Sequence, residues 1–309
     1  MKPTRVLVTG SAGQVGLDLL DTLAGATPLG GDGNYSPDGR PVEHDEFEVL
    51  GLTRHDLDIT DRDAVMRAVE ASRPDVIVNL AAYTAVDRAE AEREACYAVN
   101  SSAVESLSMA AKEARAHLIT ISTDYVFDGD KGDAYVEEDE TNPANVYGAS
   151  KRAGEMYCSP EDTIVRTSWV TGVQGKNVLH VMAERAMAGE TVRFVIDQMG
   201  TPTMASDLAR ALVTMVRVRP GGVWHVANTG ATTWFAIAQF VGQTLGRSEE
   251  FVSPITTDEL DPAPLATRPA RSDLNTQKWV SHGWQALPEW REGVQRLLAG
   301  RVLQSELRT

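Results

Sequence analysis

Cysteine is scarce: Cys96 and Cys158 are the only two in 309 residues. They lie far apart and form no CxxC pair, which excludes a disulfide framework and a cysteine-built zinc site and leaves two small apolar residues of a reducing compartment. The six histidines, His44, His55, His117, His180, His225 and His282, show no ligand spacing, so they suggest no metal. Long apolar runs are also missing. No stretch approaches the roughly 18 residues of a membrane span, and no charged leader with an apolar core precedes the first strand-like segment. A cytoplasmic protein with no membrane partner is expected. Basic residues are in deficit: 29 Lys and Arg against 44 Asp and Glu leave a formal charge of −15. Nucleic acids and anionic bilayers reward the opposite sign, so neither is an expected partner. Repeats and low-complexity tracts are absent.

What remains is ordinary for a folded globule, with 42% hydrophobic and 24% charged residues. The length allows one large or two modest domains at about 150 residues each. The N-terminal half alternates strand and helix signals. Strand signals fall at Val6-Leu7-Val8, Phe47 to Leu50, Val76-Ile77-Val78, Leu118 to Ile121 and Ile164-Val165-Arg166. Helix signals fall at Gln14 to Ala24, at Asp61 to Ser72 with Thr60 as the cap, at a long alanine-rich Ala89 to Glu113, and around Lys151. Short, wholly apolar strands separated by helices predict an α/β fold with a doubly wound, Rossmann-like parallel sheet. Ala205 to Arg217 and Val223 to Val226 read as a helix and strand that return to it. Two stretches break the rhythm. Gly25 to Glu46 is long for a helix-to-strand connection and reads either as a lid or subunit contact or as a solvated insertion. Ser253 to Ala270, with four prolines, reads as an irregular loop.

Three motifs carry chemistry. Gly10-Ser11-Ala12-Gly13-Gln14-Val15-Gly16 joins the first strand to the first helix. Glycines there admit a tight turn and a close pyrophosphate, and the helix N-terminus offers free N–H groups. At the end of the second strand an acid would bind the ribose 2′-hydroxyl of NAD, whereas an arginine accommodates the 2′-phosphate of NADP. The sequence there reads Leu52-Thr53-Arg54-His55, which favours NADPH; Asp56 and Asp58 stand nearby, so NADH stays open. Tyr147-Gly148-Ala149-Ser150-Lys151 puts a phenol and an ammonium one helical turn apart. The ammonium is expected to lower the phenol pKa from about 10 and so make Tyr147 a usable acid or base. Thr123, just past the fourth strand, sits at the sheet edge where ligands bind and can share a substrate oxygen with Tyr147.

Taken with Asn79-Leu80-Ala81-Ala82-Tyr83 after the third strand, these motifs resemble the extended short-chain dehydrogenase/reductase superfamily. Further segments narrow the likeness to its reductases of dTDP-linked 4-keto sugars: Thr84 to Glu90, Ser122 to Gly129, Arg166-Thr167-Ser168-Trp169, Asp197-Gln198-Met199-Gly200-Thr201-Pro202-Thr203 and Arg268-Pro269-Ala270-Arg271-Ser272-Asp273-Leu274. The resemblance implies reduction of the C4 ketone of a dTDP-4-keto-6-deoxy sugar, foremost dTDP-4-dehydro-L-rhamnose, by NADPH. Thr123, Tyr147 and Lys151 would be catalytic. Gly10, Gly13, Gln14, Val15, Gly16, Arg54, Asp58, Ile59, Ala81, Ala82, Tyr83 and Lys151 would hold the cofactor. Val86, Thr123, Asp124, Tyr125, Tyr147, Trp169 and Arg268 would contact the sugar nucleotide, with Arg268 facing its diphosphate and Trp169 alternatively anchoring one domain to the other.

The implied division is a nucleotide-binding domain of residues 1–174 and 202–229 and a smaller, C-terminal substrate-binding domain of residues 175–201 and 230–309. A related epimerase, or a cofactor-binding regulatory subunit without turnover, are the other readings of the same superfamily. The dehydratases carry Asp-Glu after the threonine, and here Tyr125 follows Asp124. Some members are thought to dimerise through a divalent metal held by carboxylates. Asp18 could supply one, but Ser206 and Arg210 stand where the others are sought, so no metal site is expected, Mg2+ stays open, and the chain is a monomer or homodimer.

Overall fold

Short runs of β-branched residues become the central sheet of the computed structural model, which describes residues 2–306. In chain order the first half runs β1 (Thr4–Thr9), α1 (Gln14–Leu23), β2 (Phe47–Leu52), α2 (Arg62–Ser72), β3 (Val76–Asn79), α3 (Val86–Ala91), α4 (Arg93–Tyr97), α5 (Ala103–Ala114), β4 (His117–Thr123), α6 (Val146–Glu155) and β5 (Thr163–Thr167). The second half adds β6 (Val170–Thr171), α7 (Val178–Met187), β7 (Val192–Val195), β8 (Met199–Gly200), β9 (Thr203–Met204), α8 (Ala205–Val218), β10 (Gly222–His225), β11 (Thr232–Thr233), α9 (Trp234–Thr244), β12 (Val252–Ile255), α10 (Gln277–Ser281) and α11 (Trp290–Glu306).

Six strands pair in parallel in the order β10-β5-β4-β3-β1-β2. Successive side chains of a strand point to opposite faces, and both faces are covered. Leu7, Ile77 and Leu118 pack on one face against Val65 and Val69 of α2 and Leu107 of α5. Val6, Val8, Val78, Ile119 and Val165 pack on the other against Leu19 of α1 and Leu208, Leu212 and Met215 of α8. This is the doubly wound Rossmann-like fold. The chain goes from β1 outward to β2, then crosses to β3 on the other side. A crevice therefore opens past the carboxyl ends of β1 and β3, the place such sheets bind ligands.

A second, smaller core joins α7, α9 and α11 through Leu179, Met182, Ile237, Val241, Trp290 and Val294. Part of the stretch assigned above to the smaller domain packs elsewhere: Trp279, Trp284 and Leu287 belong to the sheet's core. The rings of Trp224, Trp279 and Trp284 meet there beside the edge strand β10, Trp284 tilted against Trp224 at 5.1 Å and edge-on to Trp279 at 4.6 Å.

Several local readings change. Asp61, not Thr60, caps α2, accepting from the Ala64 N–H at 3.0 Å, while the Thr60 hydroxyl is spent on Asp58. The expected long helix over Ala89 to Glu113 is broken at Glu92 and again by a π-helical turn over Ala98–Ser102. The wider turn carries Asn100, whose Oδ1 accepts from the Tyr83 N–H at 2.9 Å and whose Nδ2 donates to the Tyr83 carbonyl at 3.0 Å. Tertiary hydrogen bonds thus override alanine's helix preference. The Gly25 to Glu46 stretch is pinned to the sheet's core at several points, while Tyr35, Arg40 and His44 in it stay exposed. Arg217 of α8 inserts into it, bonding Asp38, Glu46 and the Pro41 carbonyl, and Val42 is buried in the sheet's core. Within Ser253 to Ala270 the first residues are regular, since Val252–Ile255 pairs in parallel with Val192–Val195.

Candidate active site

A cleft of about 880 Å3 runs along the carboxyl ends of the strands and is lined by residues of both lobes. All three glycines of the first turn line it, with Gln14 and Val15. Gly10 has a φ of +68°, and a Cβ there would stand 2.6 Å from the Ala81 nitrogen, so only glycine lets β1 turn this close to the segment after β3. Helix α1 begins at Gly13 with no side chain capping it and no acid in its first turn. Its first N–H groups are left for an anion from outside. Arg54, Asp58, Ile59, Ala81, Ala82 and Tyr83 continue the wall. The carboxylates of Asp56 and Asp58 are each held by the N–H and hydroxyl of a neighbour, Thr53 and Thr60 respectively, and Asp58 still lines the cleft. Arg54 is exposed and has no ion-pair partner among the described residues. An uncapped helix start, a glycine turn and an exposed arginine at the end of β2, its charge felt by Asp58, fit a dinucleotide that carries a 2′-phosphate.

Gln14 has a second duty. Its side-chain oxygen accepts from the Gly172 N–H at 3.1 Å and from Asn177 Nδ2 at 2.8 Å, which ties α1 to the start of the smaller lobe.

Further along the cleft stand Thr123, Tyr147 and Lys151. Asn145 caps α6 by accepting from the Gly148 N–H at 2.8 Å. Helix α6 then lies tightly on the turn after β4: a Cβ on Gly148 would be 2.0 Å from the Tyr125 carbonyl oxygen. That closeness brings the Tyr147 hydroxyl beside the Thr123 hydroxyl. Burial, and secondarily Asp124, push the Tyr147 phenol up, against the Thr123 hydroxyl. The expected lowering by Lys151 is therefore not what the structure has. The Lys151 ammonium donates to the Ile121 carbonyl at 2.8 Å, and burial pulls its pKa down to about 8 with Glu155 opposing. Tyr147 is held as a protonated donor, the form that a reduction needs.

Beneath these three groups lies a layer that spacing alone leaves unseen. Glu155, one turn beyond Lys151, accepts from Ser122 Oγ at 2.5 Å and from both Arg166 Nε and Nη2 at 2.9 and 2.8 Å. It joins β4, α6 and β5 under the cleft. Asn100 Nδ2 donates to Ser150 Oγ at 3.0 Å from the opposite side of α6. The sequence signals were present: Glu155 repeats the i, i+4 spacing of Tyr147 and Lys151, and Asn100 interrupts an alanine-rich run. Asp124 lines the same wall but has both carboxylate oxygens bonded within the protein, Oδ2 by Ser272 at 2.5 Å and Oδ1 by Thr123 at 2.9 Å.

Tyr125 packs edge-on against the Tyr147 ring, with centroids 6.0 Å apart, and burial raises its phenol further. Val86 and Trp169 line the cleft too. Trp169 has a φ of +45° and stacks on Trp234 at 4.0 Å, so it meets the cleft and joins the lobes at once.

A second cavity of about 690 Å3 adjoins the first and shares Val178 and Trp234 with it. It holds Arg193, Gln198 and Arg268 against an apolar wall that includes Pro262, Pro264 and Leu265. The Arg268 fork is engaged by Asp87 of α3, at 2.7 and 3.1 Å. Arg193, Gln198 and Trp234 were not singled out above. As for metals, among the described residues no group of three or more His, Cys, Asp or Glu could hold an ion. Asp18 is buried and its pKa is raised to about 7, mainly by that burial. Arg210 is occupied by Asp207 and Asp32. No described helix is long and apolar enough to cross a membrane.

Fold and cleft together define a Rossmann-type dinucleotide-binding oxidoreductase with the tyrosine–lysine pair of the extended short-chain dehydrogenase/reductases. The comparisons make this particular. A family model described as "RmlD substrate binding domain" matches residues 39–302, and the chain belongs to that family. It is 38% identical over 296 residues to a dTDP-4-dehydrorhamnose reductase of Streptomyces griseus, covering 93% of this chain and 90% of the relative. It is 37% identical over 290 residues to a dTDP-4-keto-6-deoxy-D-glucose reductase of Streptomyces niveus, covering 93% of each. Among solved structures, dTDP-4-dehydrorhamnose reductase of Bacillus anthracis in complex with NADP matches with a TM-score of 0.85 and 32% identity, over 96% of this chain and 99% of that one.

Proposed function

We propose that this protein is a cytoplasmic, NADPH-dependent reductase of the C4 ketone of a dTDP-4-keto-6-deoxy sugar, with dTDP-4-dehydro-L-rhamnose as first candidate. The observation that carries the reading is the Thr123–Tyr147 hydroxyl pair beside buried Lys151, set in a cleft that begins at an uncapped helix N-terminus. When bound, the dihydronicotinamide supplies the hydride. The chain's residues do the rest. The glycine turn and α1 receive the pyrophosphate, and unpaired Arg54 favours the 2′-phosphate over a free hydroxyl. The adjoining cavity, with Arg193 and Arg268, takes the nucleoside diphosphate of the substrate. Val86, Tyr125 and Trp169 line the path between them. Thr123 holds the carbonyl oxygen, Tyr147 gives its proton to the oxygen that becomes the alkoxide, and the phenolate takes a proton back from solvent. The ketone thus gains one hydride and one proton. The chain divides into a nucleotide-binding lobe and a smaller substrate lobe, with the reaction between them.

The test is NADPH oxidation, followed by absorbance, with dTDP-4-dehydro-L-rhamnose generated in place. Oxidation that needs both enzyme and sugar nucleotide, and runs faster with NADPH than with NADH, is expected. Tyr147→Phe should cut turnover by about 10²-fold or more, in the range of positioned acid catalysis, while NADPH still binds. Turnover near that of the unmodified enzyme in Tyr147→Phe would refute the mechanism.

A further inference from the structure

Asp124 is 2% exposed and sits between two hydroxyls, with no basic group paired to it among the described residues. Ser272 Oγ reaches it from the C-terminal segment at 2.5 Å, and Thr123 Oγ1 donates to it at 2.9 Å. Tyr147 faces it from α6, Tyr125 stands on its own turn, and beyond Tyr125 the Asp87–Arg268 pair is closed on itself. Asp273, next to Ser272, is paired with Arg271.

A hydroxyl has one proton to donate and two lone pairs to accept with. Thr123 donates to Asp124 and accepts from the Tyr125 N–H at 3.2 Å, with the Tyr147 hydroxyl beside it. In that arrangement Thr123 has no proton left for a substrate carbonyl. The arrangement reverses if Asp124 carries a proton on Oδ1. The carboxyl then donates to Thr123, the Tyr125 N–H fills the other lone pair, and the Thr123 proton is released toward the cleft, beside that of Tyr147.

We infer that Asp124 is a positioning residue that acts as a neutral carboxylic acid, freeing the Thr123 proton to point with that of Tyr147 at the substrate carbonyl. It gives no proton away: it holds one through turnover, and the proton that reaches the substrate is that of Tyr147. This rests on the ketoreductase reading above. Burial raises the Asp124 pKa to about 7, so the competent form is populated near neutrality and lost as pH rises.

The experiment compares pH profiles of turnover for the unmodified enzyme, Asp124→Asn and Asp124→Ala at saturating NADPH and dTDP-4-keto sugar. An asparagine reproduces the neutral acid: its oxygen accepts from Ser272 and its NH2 donates to Thr123. The ratio of Asp124→Asn turnover to unmodified turnover is expected to rise about tenfold per pH unit above pH 7, because only the carboxyl ionises. Taking a ratio cancels the Lys151 titration, which bends both profiles near pH 8. Asp124→Ala should fall about 10²-fold at every pH. Ser272→Ala, which removes a donor to the ionised form, should move the alkaline limb upward. A readout besides activity is the infrared difference between unmodified protein and Asp124→Asn at pH 6, expected to contain the carbonyl band of a buried protonated carboxyl.

A ratio that stays flat with pH, or the absence of that band, overturns the inference and leaves the reductase reading standing. Unmodified enzyme that oxidises no NADPH with any dTDP-4-keto sugar overturns the reading itself, and this inference with it.

Discussion

Replacing Glu155 by glutamine removes one charge and almost no volume from beneath the cleft. The Glu155 and Arg166 side chains are 4% and 5% exposed. Two hydrogen bonds at 2.9 and 2.8 Å join them, and Ser122 adds a third to the same carboxylate. With glutamine there, Arg166 keeps one bond to the amide oxygen, the Glu137 carbonyl at 3.5 Å and the face of Phe127 at 5.2 Å, but no charge that neutralises it. A buried cation that loses its partner costs about 3–5 kcal/mol. Set against the roughly 5–15 kcal/mol that stabilises a folded domain, that is a large fraction. Arg166→Met in the same background removes the stranded charge, so the double variant should recover at least about 2 kcal/mol of the loss. Equilibrium unfolding in urea, read by tryptophan fluorescence, measures all three variants. There is a second consequence. Glu155 holds up the Lys151 pKa against burial, so Glu155→Gln should move the loss of the Lys151 charge below about pH 8. A cost under about 1 kcal/mol for Glu155→Gln, or a double variant that loses the sum of its singles, would refute the argument that this pair is a desolvated unit.

Two further outcomes follow from the same packing. Gly148→Ala would gain helix propensity on an open surface, but here its Cβ would lie 2.0 Å from the Tyr125 carbonyl oxygen. It should instead cost about 1–3 kcal/mol and lower turnover as α6 shifts Tyr147 from Thr123, checked by thermal melting and the NADPH assay. His225 is buried, its Nδ1 donates to the Tyr135 carbonyl at 3.1 Å, and burial with Arg166 nearby pushes its pKa down to about 3. The neutral ring is full stabilisation above the ordinary value of 6.5; as pH falls below it, the unfolded chain takes a proton that the fold refuses. Between pH 6.5 and 5 the stability gap between unmodified protein and His225→Gln should therefore narrow by about 2 kcal/mol, and a gap constant with pH in urea titrations would refute this.

Features with a local cause were legible in the sequence. The strands around Val6-Leu7-Val8, Val76-Ile77-Val78 and Leu118 to Ile121 are runs of apolar, mostly β-branched residues that only a sheet covered on both faces accommodates. The glycine turn after β1 and the i, i+4 spacing of Tyr147 and Lys151 are each contained within one turn of chain. Boundaries set by a competing partner were not legible. Thr60 and Asp61 both suit a cap, and the choice depends on Asp58 drawing the Thr60 hydroxyl away. The break in the Ala89 to Glu113 run depends on Tyr83, which Asn100 meets only after the chain has folded back.

By itself, then, the sequence carried the layered α/β architecture, the glycine turn after β1 and the candidates Thr123, Tyr147 and Lys151, because backbone periodicity and short spacing act within a few residues. Only the tertiary structure decided the electrical state of that trio. Lys151 turns to the Ile121 carbonyl, Tyr147 is held as a phenol, and Asp124 meets Ser272 across 148 positions of chain. Proton positions follow from burial and from which polar group arrives at 2.5 to 3 Å, and both are properties of distant segments brought together, to which local pattern is blind.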